Sequence, residues 1–378
     1  MNSQRTYRRA LSHQRSAVTI LEVLFSILVA TIGLLGAVAV IPVAASQARK
    51  GQIADASAVT GLSAIHEFDA RGMRNTQRWF WWDGNAYQGA STFFGGSSSY
   101  CIDPRFVADN AISGTSTTFP YGASGIPAMP RLNLTSSAAP PYTSAMSSIQ
   151  ANVEFACDDD LVVLEPTDRS LPAAQQYPRD DTQAILSGRR QTGGLMSWFA
   201  TITPKLDRYH SAATATNEYL LSIVVLKSRP INLRTSDYGD QEWTVNVTAF
   251  NSIGQVGGHA AGASVALRGG DIQISAPTAE MLDIKRDQWI MLAGTATVID
   301  PATGTAGSFT ANRFQWYRVT DLDDEPVNNG ANWVRDITIA GQDWNTDLNG
   351  DSSPDPCIAV IVRDVTAVYE KTIRLETN

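Results

Sequence analysis

The chain has 378 residues, of which 43% are hydrophobic and 17% charged, and its formal net charge is −8. That much apolar material can bury at least one sizeable core, which excludes a disordered chain. The acidic balance argues against nucleic acid as a main partner, because binding to phosphate relies on Lys and Arg.

The first predicted element is a basic leader. Met1 to Ala17 carries Arg5, Arg8, Arg9 and Arg15 and no acid. Residues 15–45 then read RSAVTILEVLFSILVATIGLLGAVAVIPVAA, with Glu22 as the single acidic side chain. The apolar run from Val23 to Ala45 counts 23 residues. At about 1.5 Å per residue it crosses a hydrocarbon core of about 30 Å. The positive leader keeps the N-terminus cytoplasmic and sends everything after Ala45 outward. Ala44-Ala45-Ser46 imitates a secretory cleavage site, but an ordinary signal has a shorter apolar core of about 7 to 15 residues. A charge deep in hydrocarbon costs roughly 2.5 to 3.5 kcal/mol, so Glu22 needs a partner or a purpose unless it is a chance acid near the headgroups.

Ala17-Val18-Thr19-Ile20-Leu21-Glu22-Val23-Leu24 resembles the class III signal of type IV prepilins and type II secretion pseudopilins, whose usual form is G followed by F-T-L-I-E-V-L. Ala30-Thr31-Ile32-Gly33-Leu34-Leu35-Gly36 is similar to the corresponding segment of minor pilins of the PilV kind. Ala17 stands where the family usually has glycine, Val18 where it has phenylalanine, and Ile20-Leu21 reverses the common order. The resemblance implies cleavage between Ala17 and Val18 by a prepilin peptidase and methylation of the new amine on Val18. It further implies assembly with other pilin or pseudopilin subunits through an inner-membrane assembly platform. Glu22 would then mark the register by pairing with the N-terminal ammonium of a neighbour, an attraction that burial strengthens. Removing the leader arginines takes the formal charge from −8 to −12.

From Ser46 to about Arg74 a helix is predicted to continue. Ile53, Ala56, Val59, Leu62, Ile65 and Phe68 recur every three residues, so their stripe drifts about 60° around the cylinder at each step. Such a helix needs cover on more than one side, from its own head and from neighbouring helices of a filament, or else it is buried wholly within its head. Pro42, Gly33 and Gly36 weaken the helix locally, and close helix packing is the favoured reason for the glycines. Trp79 to Ser148, rich in Ser, Gly and Pro, is predicted to be mostly loop. Trp79, Phe80, Trp81 and Trp82 are expected to pin the helix end onto a sheet, with a ligand-binding aromatic patch as the alternative.

Beyond Ser148 the chain reads as strands: Asn152–Ala156, Leu161–Leu164, Ser197–Ile202, Tyr219–Leu226 and Trp243–Ala249, the last with clear period-two alternation. The glycine-rich residues 254–264 lack the Lys-Ser/Thr of a nucleotide loop and are expected to be a hairpin connection or module boundary. A further series covers Asp271–Ser275, Trp289–Val298, Phe314–Val319, Trp333–Ala340, Ile358–Val362 and Val368–Leu375. The expected fold class is α+β: a long N-terminal transmembrane pilin helix followed by a large β-rich globular head, with two β subdomains as the favoured arrangement. The divisions are 1–17 (leader), 18–75 (helix), 76–148 (loop-rich), 149–265 (β-rich head) and 266–378 (second β-rich subdomain).

Cys101, Cys157 and Cys357 belong to an exported region where disulfides persist. Cys101 with Cys157 is favoured, because it would tether the loop-rich region to the first strand. Cys157 with Cys357 would instead resemble the C-terminal disulfide loop of many pilins. His13, His66, His210 and His259 are scattered and suggest no zinc site. Asp347, Asn349, Asp351 and Asp355 fall at positions 1, 3, 5 and 9 of a calcium-loop template. Ser352 and Ile358 depart from that template at positions 6 and 12, and an Asx-rich turn competes with it. No nucleophile elbow, zinc-protease motif or Walker loop is present, so an enzyme is not expected. The sequence therefore points to a minor, low-abundance or tip pilin-like subunit in the cytoplasmic membrane, then in a pilus or secretion pseudopilus. The alternative is a membrane-anchored adhesin or binding head with a Ca-stabilised β domain.

Overall fold

The computed structural model describes residues 19–376 apart from 90–97, 113–116, 122–126, 138, 156–160, 164–189, 193–195, 206–217, 230–240, 252–264, 267–268, 300–305 and 346–354. The architecture is α+β: a long N-terminal apolar helix followed by a β-rich head. The chain divides into two compact units at Ile53/Ala54.

Helix α1 spans Ile20–Ala70 and runs through Pro42. Thr19 opens it, accepting the Glu22 backbone N–H at 3.3 Å. Ser26 and Thr31 donate their hydroxyls to carbonyls one turn back, so the apolar stretch leaves these groups satisfied without water. Gly72 ends the helix in a left-handed conformation, φ 62°. The Met73 N–H then reaches Phe68 O at 3.0 Å and the Gly72 N–H reaches Asp69 O at 3.1 Å, a Schellman closure.

The segment expected to be loop supplies much of the first sheet. It contains β1 (Trp79–Trp82), β2 (Tyr87–Gly89), β3 (Tyr100–Ile102), helix α2 (Pro104–Asn110), β4 (Thr118–Phe119) and β5 (Met129–Leu134). β1 to β4 are two to four residues long, and all three residues of β3 and five of the six in β5 are buried, so no alternation is visible. Residues 152–155, expected to begin a strand, belong instead to α3 (Ser148–Phe155). The cause is a capping box: Ser147 Oγ accepts from the Gln150 N–H while Gln150 Oε1 accepts from the Ser147 N–H.

The short pair β6 (Leu161–Val163) and β7 (Arg190–Thr192) stands apart, and β8 (Met196–Pro204) and β9 (Glu218–Lys227) complete the first run of strands. The chain then enters β10 (Glu242–Asn251), β11 (Val265–Ala266), β12 (Gly269–Ala276), β13 (Trp289–Ile299), β14 (Ala306–Leu322), β15 (Val327–Asn328), β16 (Trp333–Ala340), β17 (Trp344–Asn345) and β18 (Cys357–Val362), and ends in β19 (Val365–Arg374).

The first sheet has the order β19-β9-β8-β3-β5-β1-β2. In the second, β12-β10-β18-β13-β14-β16 closes on itself through β12–β16 pairing, which makes a six-stranded barrel without free edges. Cys357, Ala359 and Ile361 of β18 point into that barrel beside Ile290, Leu292, Tyr317 and Ile337. Their neighbours Ile358, Val360 and Val362 point out onto the first sheet, against Phe199, Val224 and Leu226. Burial on both faces is why CIAVIV is a continuous apolar run.

The expected division at residue 265/266 is not where the chain changes sheet. β10 pairs with β12 and β18 in the barrel, while β19 returns to the first sheet beside β9, from Leu226↔Val365 to Glu218↔Arg374. The Lys227 N–H donates to Asp364 O at 2.9 Å, so the barrel enters and leaves the first sheet at one point. It is an insertion into a β9–β19 pair. Alternation identifies a strand but not its partner, which is why this topology escaped the sequence.

Candidate functional site

Within the head, the last turns of α1 lie on one face of the first sheet and the barrel lies on the other. Ser57, Thr60, Gly61, Ala64 and Phe68 are the buried helix residues, spaced as one helical face. Ser57 Oγ lies 2.9 Å from Thr366 Oγ1, Asp69 accepts from Lys371 Nζ at 3.0 Å, and Gly61 lies directly under the Tyr369 ring. Small residues allow the helix to approach β19 closely. The apolar stripe read from the sequence therefore splits: Phe68 is buried, Ile53 and Ile65 are half-buried, and Val59 and Leu62 face away, 53% and 57% exposed.

The exposed apolar surface also covers α1 from Ile20 to Val43, all round the helix. This is the one described helix long and apolar enough to cross a membrane. Glu22 lies in its first turn with an exposed side chain. Ala17 and Val18 lie outside the described residues.

The aromatic cluster after α1 acts as an anchor. Trp79 is fully buried and donates Nε1 to Met73 O at 2.8 Å, fixing the chain just past the helix end, and Phe80 is buried beside it. Trp82 meets Tyr87 edge to face, with ring centroids 5.2 Å apart.

A buried ion network, for which the sequence held no signal at Arg131 or Glu242, joins the first sheet to the barrel. Asp103 caps α2 and accepts from Arg131 Nη1 at 2.6 Å and from Arg229 Nη1 and Nη2 at 2.9 and 2.6 Å. Arg131 also bonds Glu242 at the start of β10 and lies over the Phe106 and Phe119 rings at 4.1 and 4.8 Å. Burial by itself would raise the Asp103 pKa, but the Arg229 and Arg131 guanidiniums outweigh it and hold the carboxyl at about 2. Each of these charges has an opposite partner, which makes the cluster a tie between sheet and barrel rather than a reactive centre. The signal that could have found part of it is Asp103-Pro104, a capping residue before a first-turn proline, in a segment expected to be loop.

Cys101 is a free, fully buried thiol in β3, packed in the core between sheet and barrel. Cys157 lies outside the described residues. Cys357 is likewise free and buried. Of the calcium-loop candidates, Asp347, Asn349 and Asp351 lie outside the described residues, as do residues 254–264. Asp355 is described, and its charge acts on the buried Arg313. Among the described residues no group of three or more His, Cys, Asp or Glu is placed to hold a metal. No family model, curated protein or solved structure matches the chain.

Proposed function

We propose that the protein is a minor type IV pilin-like subunit, cleaved after Ala17, N-methylated on Val18 and assembled by its N-terminal helix into a pilus or secretion pseudopilus. Before assembly it is held in the cytoplasmic membrane, N-terminus inside and head outside. The observation that carries this reading is the two-sided division of α1. Within the head its small residues face β19 while Val59 and Leu62 are exposed, and the span from Ile20 to Val43 is apolar and exposed all round. Exposed apolar surface of this kind needs a membrane or another subunit to cover it. The membrane covers the span itself, and neighbouring helices cover the outward residues of the head portion. In that setting Glu22 meets the N-terminal ammonium of the adjacent subunit, and the inserted barrel makes the head large enough to favour a low-abundance or tip position.

Mass spectrometry of the mature protein tests the processing step. A peptide beginning at methylated Val18 is expected, and a chain retaining residues 1–17 would overturn the proposal. Val59→Glu together with Leu62→Glu is expected to abolish incorporation into sheared filaments while leaving the melting temperature of the head unchanged. Normal incorporation of that variant would remove the reading's main support.

A further inference from the structure

Between Glu22 and Asp55 the sequence holds two charged side chains, Arg49 and Lys50, and both are exposed on α1 just past the end of its apolar run at Ala45. We infer that this pair binds the phosphate of an anionic phospholipid in the outer leaflet and so sets how deep the helix sits before assembly. The inference rests on the membrane-held state proposed above and gives it a lipid class and two named residues.

Distances along the helix carry the argument. From Ala45 to Arg49 the helix rises about 6 Å, and the headgroup layer on either side of a hydrocarbon core about 30 Å thick is about 5 to 7 Å deep. With Ala45 at the outer edge of the hydrocarbon, Arg49 stands at the level of the phosphates, and the long side chain of Lys50 reaches the same layer. The inner edge then falls near Phe25, and Glu22 lies about 4.5 Å below it, among the inner headgroups. One placement keeps all three charges out of hydrocarbon.

Nothing on the helix competes for the pair. Among the described residues neither side chain makes an ion pair or hydrogen bond. No acid lies from Val23 to Ala54, so neither cation has an i,i+3 or i,i+4 partner. Two cations outside the membrane also oppose the orientation that the leader arginines set, so they are not there as a topology signal. Phosphate suits both: the guanidinium grips it with two parallel N–H groups, and the ammonium adds a point charge. Each cation near an anionic surface raises affinity about fivefold.

The experiment reconstitutes the full chain in phosphatidylcholine vesicles with a trace of spin-labelled phosphatidylglycerol or spin-labelled phosphatidylcholine. Electron paramagnetic resonance then reads how much of each label is immobilised at the protein. Phosphatidylglycerol is expected to be preferred about fivefold or more, and the preference to fall towards one in 1 M NaCl. Arg49→Gln with Lys50→Gln is expected to remove most of the preference without moving the melting temperature of the head, whereas Arg49→Lys keeps it. A control with Arg5, Arg8, Arg9 and Arg15 all changed to Gln separates the effect of the leader. The inference is overturned by a wild type without preference, by a preference that survives in the double variant, or by one that vanishes with the leader arginines alone. A double variant that keeps the lipid preference but fails to enter filaments would give the pair to an acidic group on a neighbouring subunit instead. Retention of residues 1–17 bears only on processing, so the two readings fail separately.

Discussion

Cys101 and Cys357 occupy the two cores of the head, the first between sheet and barrel and the second inside the barrel. Burial raises both thiols, Cys101 well above its ordinary value and Cys357 to about 12, with guanidiniums pulling each slightly back. A thiol, not a thiolate, is present at neutral pH, and it is out of reach of reagents. Treatment of the native protein with N-ethylmaleimide at pH 8 is expected to leave both unmodified, and both should label once the chain is denatured. A non-reducing peptide map that found Cys101 bridged to Cys157 would contradict this. Gly61 is constrained in the opposite sense, by closeness rather than by reactivity. A side chain there would overlap the Tyr369 ring. Gly61→Leu is expected to cost about 1 to 3 kcal/mol through overpacking, despite a helix-propensity gain of up to about 1 kcal/mol. Adding Tyr369→Ala should recover part of the loss, and additive losses in thermal denaturation would show that the two residues do not meet.

At the scale of elements, the Asp103 network decides how β3, β5 and β10 hold together. Asp103 has an ordinary pKa of 3.8 and a folded value of about 2. Because the folded value is depressed, its contribution is fully present above pH 4 and is lost as the pH falls towards 2. At about 1.4 kcal/mol per pKa unit the loss is about 2 kcal/mol, to be read from urea midpoints between pH 5 and pH 2. Asp103→Asn should flatten that part of the profile, and an unchanged slope would assign the acid sensitivity elsewhere. Arg131→Met removes the shared cation and leaves Glu242 buried without its partner, at an expected cost of about 3 to 5 kcal/mol. Elements with regular patterns were legible in the sequence. Trp333–Ala340 matches its strand residue for residue, and β8, β9, β10 and β13 differ from their expected ends by a few residues at most. What escaped were elements fixed by single contacts: α3, set by the Ser147–Gln150 capping box, and β3, too short and too buried to alternate. At the candidate site the apolar surface of α1 was legible because composition alone creates it. The inward face was not, since it is made of Ser57, Thr60, Gly61 and Ala64, residues whose value lies in being small next to Tyr369 and Thr366.

For the head as a whole, the question is whether an inserted barrel behaves as a second domain. Its topology argues for independence: it is closed, it has its own core, and the chain enters and leaves it beside Lys227 and Asp364. Its packing argues the other way. Met291, Ala293, Phe314, Trp316 and Val360 on the outside of the barrel share one buried cluster with Phe119, Phe199 and Val224 of the first sheet. Trp316 Nε1 donates to Thr201 Oγ1 at 3.1 Å across that seam, and Arg131 crosses it to Glu242. Separating the two would expose these large side chains at roughly 1.5 to 3 kcal/mol each. It would also leave a buried ion pair broken. Their sum exceeds the whole stability of a typical domain, about 5 to 15 kcal/mol, so neither part can unfold and leave the other intact. Scanning calorimetry of the full chain in micelles is accordingly expected to give one head transition, with a calorimetric to van't Hoff enthalpy ratio near one. Phe199→Ala, which empties the shared cluster without touching the barrel interior, should lower that single transition by about 3 to 5 kcal/mol of stability. Two resolved transitions, with only one shifted by Phe199→Ala, would make the barrel an autonomous domain.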